Sequence, residues 1–419
     1  MKLDIKENTF FLLFFLLPFS IVAGPSVSII NILIIDLFFL SLLIINKNYF
    51  FLNHYSVKYI LLLYLYLIFN SFISLNYELG LARNFGFIRL VLLYIFINYF
   101  FFSYQKEKKL LNYWTIFFLF FVLDIFIEQF TGSNILGWGA IEINGVAQPH
   151  GNRIVSFFKD EPITGSFLLS FIFLLFGHLM NNKDTKDLIP YIFLGIASLA
   201  ILITGERSNS IKLIIGVIIF FLFLDFLKFK IKVLILFLIL SFFIITINSS
   251  KYLKNRYIGQ ILNQIDTKEE FEEFKERNIY LKLYKSGFAV FKEYPIFGVG
   301  NKNYRYETCE NIPNKDNNSD YYCLTHPHQI YFETLAEHGL FGTIILFGIL
   351  FYLMFRILKL ILISKNYLQL GCLIYILVNF TPVLPSGSFF SDFNITLFWI
   401  NFSIMFACDK KSNIFKINN

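Results

Sequence analysis

Three arginines and one histidine are the residues of this sequence best suited to chemistry. Arg153 stands in GNRIVSFFKDEP, Arg207 in TGERSNS, and Arg277 in a charged segment upstream of Gly298-Val299-Gly300. A guanidinium group forms paired hydrogen bonds with phosphate oxygens, a geometry that lysine does not supply. His328, in HPHQIY, can exchange a proton near neutral pH. This combination indicates a phosphate-bearing substrate and a proton-transfer step.

Each of these residues also has a simpler interpretation. An arginine at a membrane edge can contact lipid headgroups, and His326 with His328 could be structural or bind a metal. No further metal ligand stands at an obvious spacing, so we predict no metal site. We favour a neutral base, because a predicted helix begins at His328 and the positive end of its dipole disfavours protonation. We favour Arg207 as a phosphate ligand because its turn also holds Thr204, Ser208, Asn209 and Ser210.

The composition places these residues in a membrane protein. Of 419 residues, 56% are hydrophobic, 20% are aromatic and 16% are charged, against about 25% charged in an ordinary soluble domain. A soluble protein of this size cannot bury so much apolar surface, and a disordered chain would not contain it. The net charge of +7 is therefore no indication of nucleic-acid binding.

The apolar runs predict an all-α polytopic membrane protein with about twelve transmembrane helices. A span needs about 20 apolar residues. The predicted spans are 10–24, 26–46, 57–75, 86–103, 110–130, 163–180, 188–204, 210–227, 231–248, 338–358, 366–384 and 390–407. The first is short and resembles a signal-peptide core, but we favour an uncleaved span because another begins directly after it.

The positions of the basic residues predict the orientation. If the N-terminus is cytoplasmic, the inner segments hold 18 basic residues and the short outer segments hold six, while the other 12 of the 36 lie in loop 249–337. This asymmetry fits the excess of positive charge on the cytoplasmic side. We therefore expect both termini in the cytoplasm and three parts: spans one to nine (1–248), a large outer loop (249–337), and the last three spans with the tail (338–419).

The long loop and two spans carry further polar features. Segment 266–294 has the apolar periodicity of a helix with a solvated acidic face, and Gly298-Val299-Gly300 reads as a turn or a weak phosphate-binding loop. Cys309 and Cys323 could form a disulfide in an oxidising exterior or remain free thiols. Asp124 and Glu128 share one face of span five and should point into the bundle. Asp36 lies mid-span, and Asp225 stands near Lys228, its expected ion-pair partner.

Four segments together resemble the bacterial O-antigen ligases and the related O-antigen polymerases. HPHQIYFETLAEHGLFG resembles the signature at the end of the large periplasmic loop, in which a His precedes a Gly by eleven positions, as His328 precedes Gly339. KEYPIFGVGNKNY, TGERSNS and RIVSFFKDEP resemble the glycine-bearing, arginine-bearing and early motifs of the same family. The four occur in family order on a matching succession of spans.

The resemblance implies a metal-independent glycosyltransferase of GT-C type in the bacterial inner membrane, without a cofactor. It would take a saccharide from undecaprenyl diphosphate at the periplasmic face. Family roles fall on Arg207 and a loop arginine, here Arg277, for the diphosphate and on His328 for catalysis, with Arg153 as a third diphosphate ligand. Arg277 stands further from Pro295 than the family pattern leads us to expect. Second-line acid or base candidates are Glu337, Glu206, Asp160 and Glu161.

Three functions remain open from the sequence. A ligase would transfer the saccharide to the lipid A–core, whereas a polymerase would transfer it to another lipid-linked repeat unit. A transporter or flippase for a lipid-linked saccharide would also suit twelve spans. The clustering of polar residues at one membrane face argues against transport, for which sites usually lie at mid-depth. A purely structural membrane protein is the least favoured reading.

Overall fold

The computed structural model describes residues 2–47, 49–139, 142–143, 146–147, 153–159, 161–181, 188–259, 278–311 and 320–416. Two of the predicted site residues, Asp160 and Arg277, lie outside these ranges, as does the first part of the predicted helix 266–294. The predictions for them stay predictions.

Helices form nearly all of the regular structure in the described residues. In chain order they are α1 Lys2–Phe15, α2 Leu17–Ala23, α3 Pro25–Asn46, α4 Tyr55–Phe72, α5 Tyr77–Gly86, α6 Ile88–Ser103, α7 Glu107–Thr131, α8 Thr164–Asn181, α9 Ile189–Ile203, α10 Arg207–Leu222, α11 Phe229–Ser249, α12 Lys251–Lys254, α13 Ile279–Glu293, α14 Ile330–Ser364, α15 Tyr367–Asn379 and α16 Asp392–Ala407. Short 3-10 turns occur at Phe50–Asn53 and Ser156–Phe158, and π-helical turns at Asn255–Gly259 and Tyr306–Glu310. An antiparallel hairpin pairs β1 Glu142–Ile143 with β2 Val146–Ala147, and it is the one departure from the all-α prediction in this part of the chain.

The helices bear out a multi-pass membrane protein. Seven helical segments of the described chain are long and apolar enough to cross a membrane: Pro25–Asn46, Tyr55–Phe72, Tyr77–Ser103, Glu107–Thr131, Thr164–Asn181, Phe229–Ser249 and Ile330–Ser364. Shorter apolar helices occupy Glu7–Ala23, Ile189–Ile203, Tyr367–Asn379 and Asp392–Ala407. The count of twelve spans, their orientation and the three-part division remain predictions.

Helix α8 forms the centre of the bundle, whereas α11 lies at its edge. The most apolar stretch of α8 is 83% buried inside the protein, and that of α11 is only 6% buried. Two glycines let α8 and α15 approach closely: a Cβ atom at Gly177 would collide with the Tyr367 carbonyl, and one at Gly371 with the Phe173 carbonyl. Small residues at such contacts are a common means of packing helices in membranes.

A glycine divides α14 just after its third turn. Gly339 has φ 61° and ψ −169°, a conformation open essentially to glycine alone. The break opens helix carbonyls to the loop that follows α13. The amides of Val299 and Gly300 donate to the carbonyls of Ala336 and Glu337, at 3.0 and 2.9 Å. The two-glycine motif is therefore a structural clasp on α14, and the weaker interpretation of it as a phosphate-binding loop is wrong for these two amides.

Several local expectations require correction or refinement. The described part of the predicted helix 266–294 begins at Ile279 and ends at Glu293, before Pro295. Asp225 pairs with Lys365 of the α14–α15 turn rather than with Lys228. Asp36 is buried in α3, and neither of its carboxyl oxygens has a hydrogen-bond partner. Cys309 and Cys323 do form a disulfide, with Cα atoms 4.8 Å apart.

Candidate functional site

A large cavity opens at one end of the helix bundle. Its volume is about 900 Å³. Its walls come from α5, the segment before α8, the start of α10, the π-helical turn after α12, the segment before α14 and the loop before α16. Six basic residues line it: Arg83, Arg153, Arg207, Lys212, Arg256 and Lys302. Three acidic residues line it, namely Glu161, Glu206 and Asp392. This excess of positive charge suits an anionic ligand.

Arg207 lies where the sequence predicts it, on the first turn of α10. Gly205, with φ 73°, makes the sharp turn from α9. Three of the four polar neighbours expected to assist Arg207 form hydrogen bonds within the protein, namely Thr204, Ser210 and, to Glu206, Asn209. The Thr204 hydroxyl donates to the Ile201 carbonyl at 2.7 Å, and the Ser210 hydroxyl lies 2.7 Å from that of Tyr257. Ser208 and Asn209 do line the cavity.

Glu206 caps this turn and faces the cavity. Its carboxylate accepts hydrogen bonds from the Gly165 amide and from Asn209 Nδ2, each at 2.6 Å. Burial raises the pKa of Glu206 to about 7, although these hydrogen bonds and Arg153 favour the ionised form. Glu206 can therefore gain or lose a proton near neutral pH, as an acid or base requires. Of the other acid or base candidates, Glu161 is an exposed residue of the cavity wall.

Two buried carboxylates of α7 hold the loop that carries Arg153. Glu128 accepts from the amides of Val155 and Ser156 at 3.0 and 2.6 Å. Asp124 accepts from the Ser156 hydroxyl at 2.5 Å and from the Ile135 amide at 2.9 Å. These bonds support Ser156 at φ 48°, a conformation unfavourable for a non-glycine residue. Asp124 and Glu128 are buried as expected. Their hydrogen-bond partners belong to the segment between α7 and α8 and not to a neighbouring helix.

Arg256 is a cavity residue that the sequence did not single out. It lies in the π-helical turn after α12, and its Nε donates to the Gly205 carbonyl at 3.1 Å. Burial lowers the pKa of Arg256, and the nearby charges of Arg153 and Arg207 lower it further. The three side chains therefore lie close together, and we call Arg153, Arg207 and Arg256 the arginine triad. The signal available in the sequence was an arginine soon after the end of a predicted span.

His328 and His326 lie side by side at the cavity wall, with ring centroids 3.9 Å apart. His328 precedes α14, which begins at Ile330 and has Gln329 as its cap, so His328 is not the first helical residue. Its carbonyl accepts from the Ser386 amide at 2.8 Å. Burial lowers the pKa of His328 below its ordinary value of 6.5 and that of His326 to about 3. Burial therefore favours the neutral form of His328.

The cavity lining also includes Arg83 of α5 and Lys302, which we call the second basic pair. The sequence assigned neither a role. Lys302 follows the Gly298–Gly300 clasp and has φ 66°, so the clasp on α14 fixes its position. Burial lowers the pKa of Lys302, and the charge of nearby Arg83 lowers it further. Lys212 completes the basic set. It lies five residues beyond Arg207 on α10, about 7.5 Å deeper along the helix.

Glu337 lies behind the cavity wall. It is 3% exposed, and its Oε1 accepts from the Tyr304 amide at 3.4 Å. Its position supports a structural part in holding the loop after α13. The disulfide lies in the same region, where the Tyr321 hydroxyl donates to Glu293 at 2.5 Å and to Glu307 at 3.2 Å. No group of three or more His, Cys, Asp or Glu side chains suited to a metal ion occurs in the described chain.

Comparison with known proteins agrees with three of the four sequence motifs, those that lie within the matched range, whereas RIVSFFKDEP precedes it. Residues 192–347 match the family model described as O-antigen ligase. The matched range contains Arg207, Arg256, the second basic residue Lys302 and both histidines of the cavity wall. No curated protein matches the chain. Residues 192–347 therefore carry an O-antigen ligase domain, and this domain supports membership of the O-antigen ligase superfamily.

Proposed function

We propose that the protein transfers a saccharide from undecaprenyl diphosphate to a sugar hydroxyl, in a cavity that opens to the periplasm. The observation that carries the proposal is the arginine triad in one cavity with the neutral His326–His328 pair. A lipid-linked sugar diphosphate carries two phosphates that need positive partners. The polar residues also gather at one end of the bundle, which suits a transferase better than a transporter.

The reaction follows from the chemistry of these groups. The acceptor hydroxyl attacks the anomeric carbon of the donor sugar, and the bond from that carbon to the diphosphate oxygen breaks. His328 accepts the hydroxyl proton. The departing diphosphate keeps the electron pair, and the arginine triad stabilises its negative charge. The residues of this chain supply both the base and the countercharge, so the proposed step uses no metal ion.

The triad assigns diphosphate binding to Arg153, Arg207 and Arg256. Arg256 joins the proposed diphosphate ligands because it lines the cavity. Arg277 lies outside the described residues and stays a proposed diphosphate ligand on the family resemblance alone. Glu206 lies beside Arg207 and can exchange a proton near neutral pH, so we propose it as a supporting acid or base. Glu161 is exposed at the cavity wall and stays a second-line candidate. Glu337 does not line the cavity, and we propose that it supports the loop after α13.

A substitution series at Arg207 tests this proposal. Purified protein in liposomes is given undecaprenyl diphosphate-linked saccharide and lipid A–core, and transfer is followed on gels. We expect Arg207→Gln and Arg207→Lys each to lose about 100-fold in rate or more, because lysine keeps the charge but not the paired hydrogen bonds. Arg305→Gln is the matched control: it removes an exposed arginine beside Glu310, outside the cavity. Near-normal transfer by Arg207→Lys would reduce the role of Arg207 to a general positive charge.

The acceptor class needs a separate experiment. We propose the lipid A–core as the acceptor, which makes the protein a ligase, and a second lipid-linked repeat unit is the alternative. Lipopolysaccharide from a deletion strain distinguishes the two. Full-length polymer left unattached to the core indicates a ligase, whereas a core capped with a single repeat unit indicates a polymerase.

A further inference from the structure

We propose that Arg83 and Lys302, the second basic pair, form a separate anion-binding subsite that holds a phosphate group of the acceptor. The inference rests on the proposed transferase function and adds a requirement on the second substrate. The ligand class is a phosphorylated saccharide or a saccharide joined to a lipid phosphate. The arginine triad remains the subsite for the donor diphosphate.

The Arg83 guanidinium has hydrogen-bond donors without partners in the described chain. Its guanidinium is half-buried in the cavity wall, and no described residue forms a hydrogen bond or an ion pair within 4.0 Å with it. A guanidinium offers five N–H donors in a fixed plane. A half-buried arginine of this kind needs partners, and the cavity is where its donors can meet them. The Lys302 ammonium likewise lines the cavity without an ion pair to the described chain.

The carboxylates near Arg83 are occupied by other partners. Glu333, Glu337 and Asp392 are close enough to interact electrostatically with Arg83. Asp392 forms an ion pair with Arg89, at 2.6 Å between Oδ1 and Nη2. Glu333 accepts from the Ser388 hydroxyl at 2.5 Å and the Phe389 amide at 3.0 Å. These carboxylates attract Arg83 toward this wall while leaving its donors unpaired.

Tyr280, His328 and His326 connect the arginine triad to the second basic pair. Arg256, of the triad, interacts with Tyr280, whose ring packs on His328 with centroids 6.1 Å apart. His328 packs on His326, and His326 lies close enough to Arg83 for the two side chains to interact electrostatically. The proposed base is therefore connected to both basic groups through neighbouring side chains of one cavity. A donor anion on one group and an acceptor anion on the other would bring the reacting carbon and hydroxyl together beside His328.

Binding of inorganic pyrophosphate tests the subsite without any need for transfer. Calorimetric titration of the purified protein in detergent should give two bound pyrophosphates per chain. Arg83→Gln and Arg207→Gln should each reduce this number to one, and Arg305→Gln should leave it at two. A single bound pyrophosphate in the unaltered protein, unaffected by Arg83→Gln, would overturn the second subsite. Loss at Arg83 with no effect at Arg207 would instead contradict the proposed donor site.

Kinetics with two acceptors identify the source of the anion. Arg83→Gln should raise the KM for a phosphorylated acceptor about tenfold or more and leave the donor KM unchanged. With the same acceptor enzymatically dephosphorylated, Arg83→Gln and the unaltered protein should have equal KM values. A rise in donor KM would show that Arg83 binds the donor, which refutes the proposal. A lower unfolding temperature with unchanged pyrophosphate number and unchanged KM would show that Arg83 only balances buried carboxylates, and would also refute it.

Discussion

Because Gly339 breaks α14, we expect alanine to have opposite effects on stability at two glycines of this helix. We predict that Gly339→Ala destabilises the protein and inactivates it, whereas Gly348→Ala does neither. At Gly339 an alanine would have φ near 61° and ψ near −169°, at a cost of about 1 to 3 kcal/mol in backbone strain. Its Cβ would also lie 2.6 Å from the Gly298 amide nitrogen and closer still to the Ile296 carbonyl.

Those contacts cannot be relieved by a side-chain movement, because the colliding atoms belong to the backbone. The loop must move away, and four hydrogen bonds depend on its position: those of Val299 and Gly300 to α14, and those of Leu340 and Phe341 to the Pro295 and Ile296 carbonyls, at 2.8 to 3.0 Å. Each contributes about 0.5 to 1.5 kcal/mol. We therefore expect a total loss of about 3 to 9 kcal/mol for Gly339→Ala.

Gly348 is the matched control. It lies nine residues further along the same helix, and a Cβ there meets no atom within 4 Å. Alanine favours helix over glycine by about 1 kcal/mol, so Gly348→Ala should keep or slightly raise the unfolding temperature. Both variants are compared by thermal unfolding in detergent and by transfer in liposomes. An unchanged unfolding temperature and normal transfer for Gly339→Ala would refute the account of α14 as a helix broken to hold the Lys302 loop.

Three further predictions concern the base, the disulfide and the Arg153 loop. Because neutral His328 is the active form and burial lowers its pKa, kcat/KM should fall as pH decreases, with a midpoint below 6.5; a midpoint above 6.5 in the pH profile would contradict this. Removal of the disulfide by Cys309→Ser with Cys323→Ser should cost about 3 kcal/mol of unfolding free energy, and a reductant should lower the unfolding temperature of the unaltered protein but not of the double variant. Glu128→Ala leaves two buried amides unpaired, so it should lower the unfolding free energy by about 2 to 6 kcal/mol and raise the donor KM, whereas Glu128→Gln should have smaller effects on both. Equal unfolding free energies and equal donor KM values for the two variants would show that the loop does not need this acceptor.

The sequence predicted the helices well because each apolar run is long and continuous. Span two, predicted at 26–46, corresponds to α3 Pro25–Asn46, and span six, predicted at 163–180, to α8 Thr164–Asn181. Span ten was the least accurate: it was predicted at 338–358, whereas α14 covers Ile330–Ser364. The helix continues beyond the apolar run at both ends. Near its start, Glu333 binds the loop before α16, and near its end Ile357 and Ile361 remain buried.

The cavity was only half predictable. Arg153, Arg207 and His328 belong to local motifs, and all three line it. Arg83 and Arg256 are single arginines whose role depends on tertiary packing, which no local pattern encodes. Four of the six basic residues in the predicted short outer segments are arginines, and this was a useful indication because planar guanidinium groups suit phosphate. The sequence alone could not show which arginines line the same cavity.

Because α8 is buried and α11 is not, we expect the two helices to tolerate different amino-acid substitutions during evolution. Nearly every side chain of α8 fills a space bounded by neighbours, so exchanging Phe for Leu there leaves a void. The same exchange along α11 leaves no void in the protein, because its side chains pack against few neighbours there. Sites in α8 should therefore accept only residues of similar shape. Sites in α11 should accept almost any apolar residue and reject charges according to their depth in the bilayer.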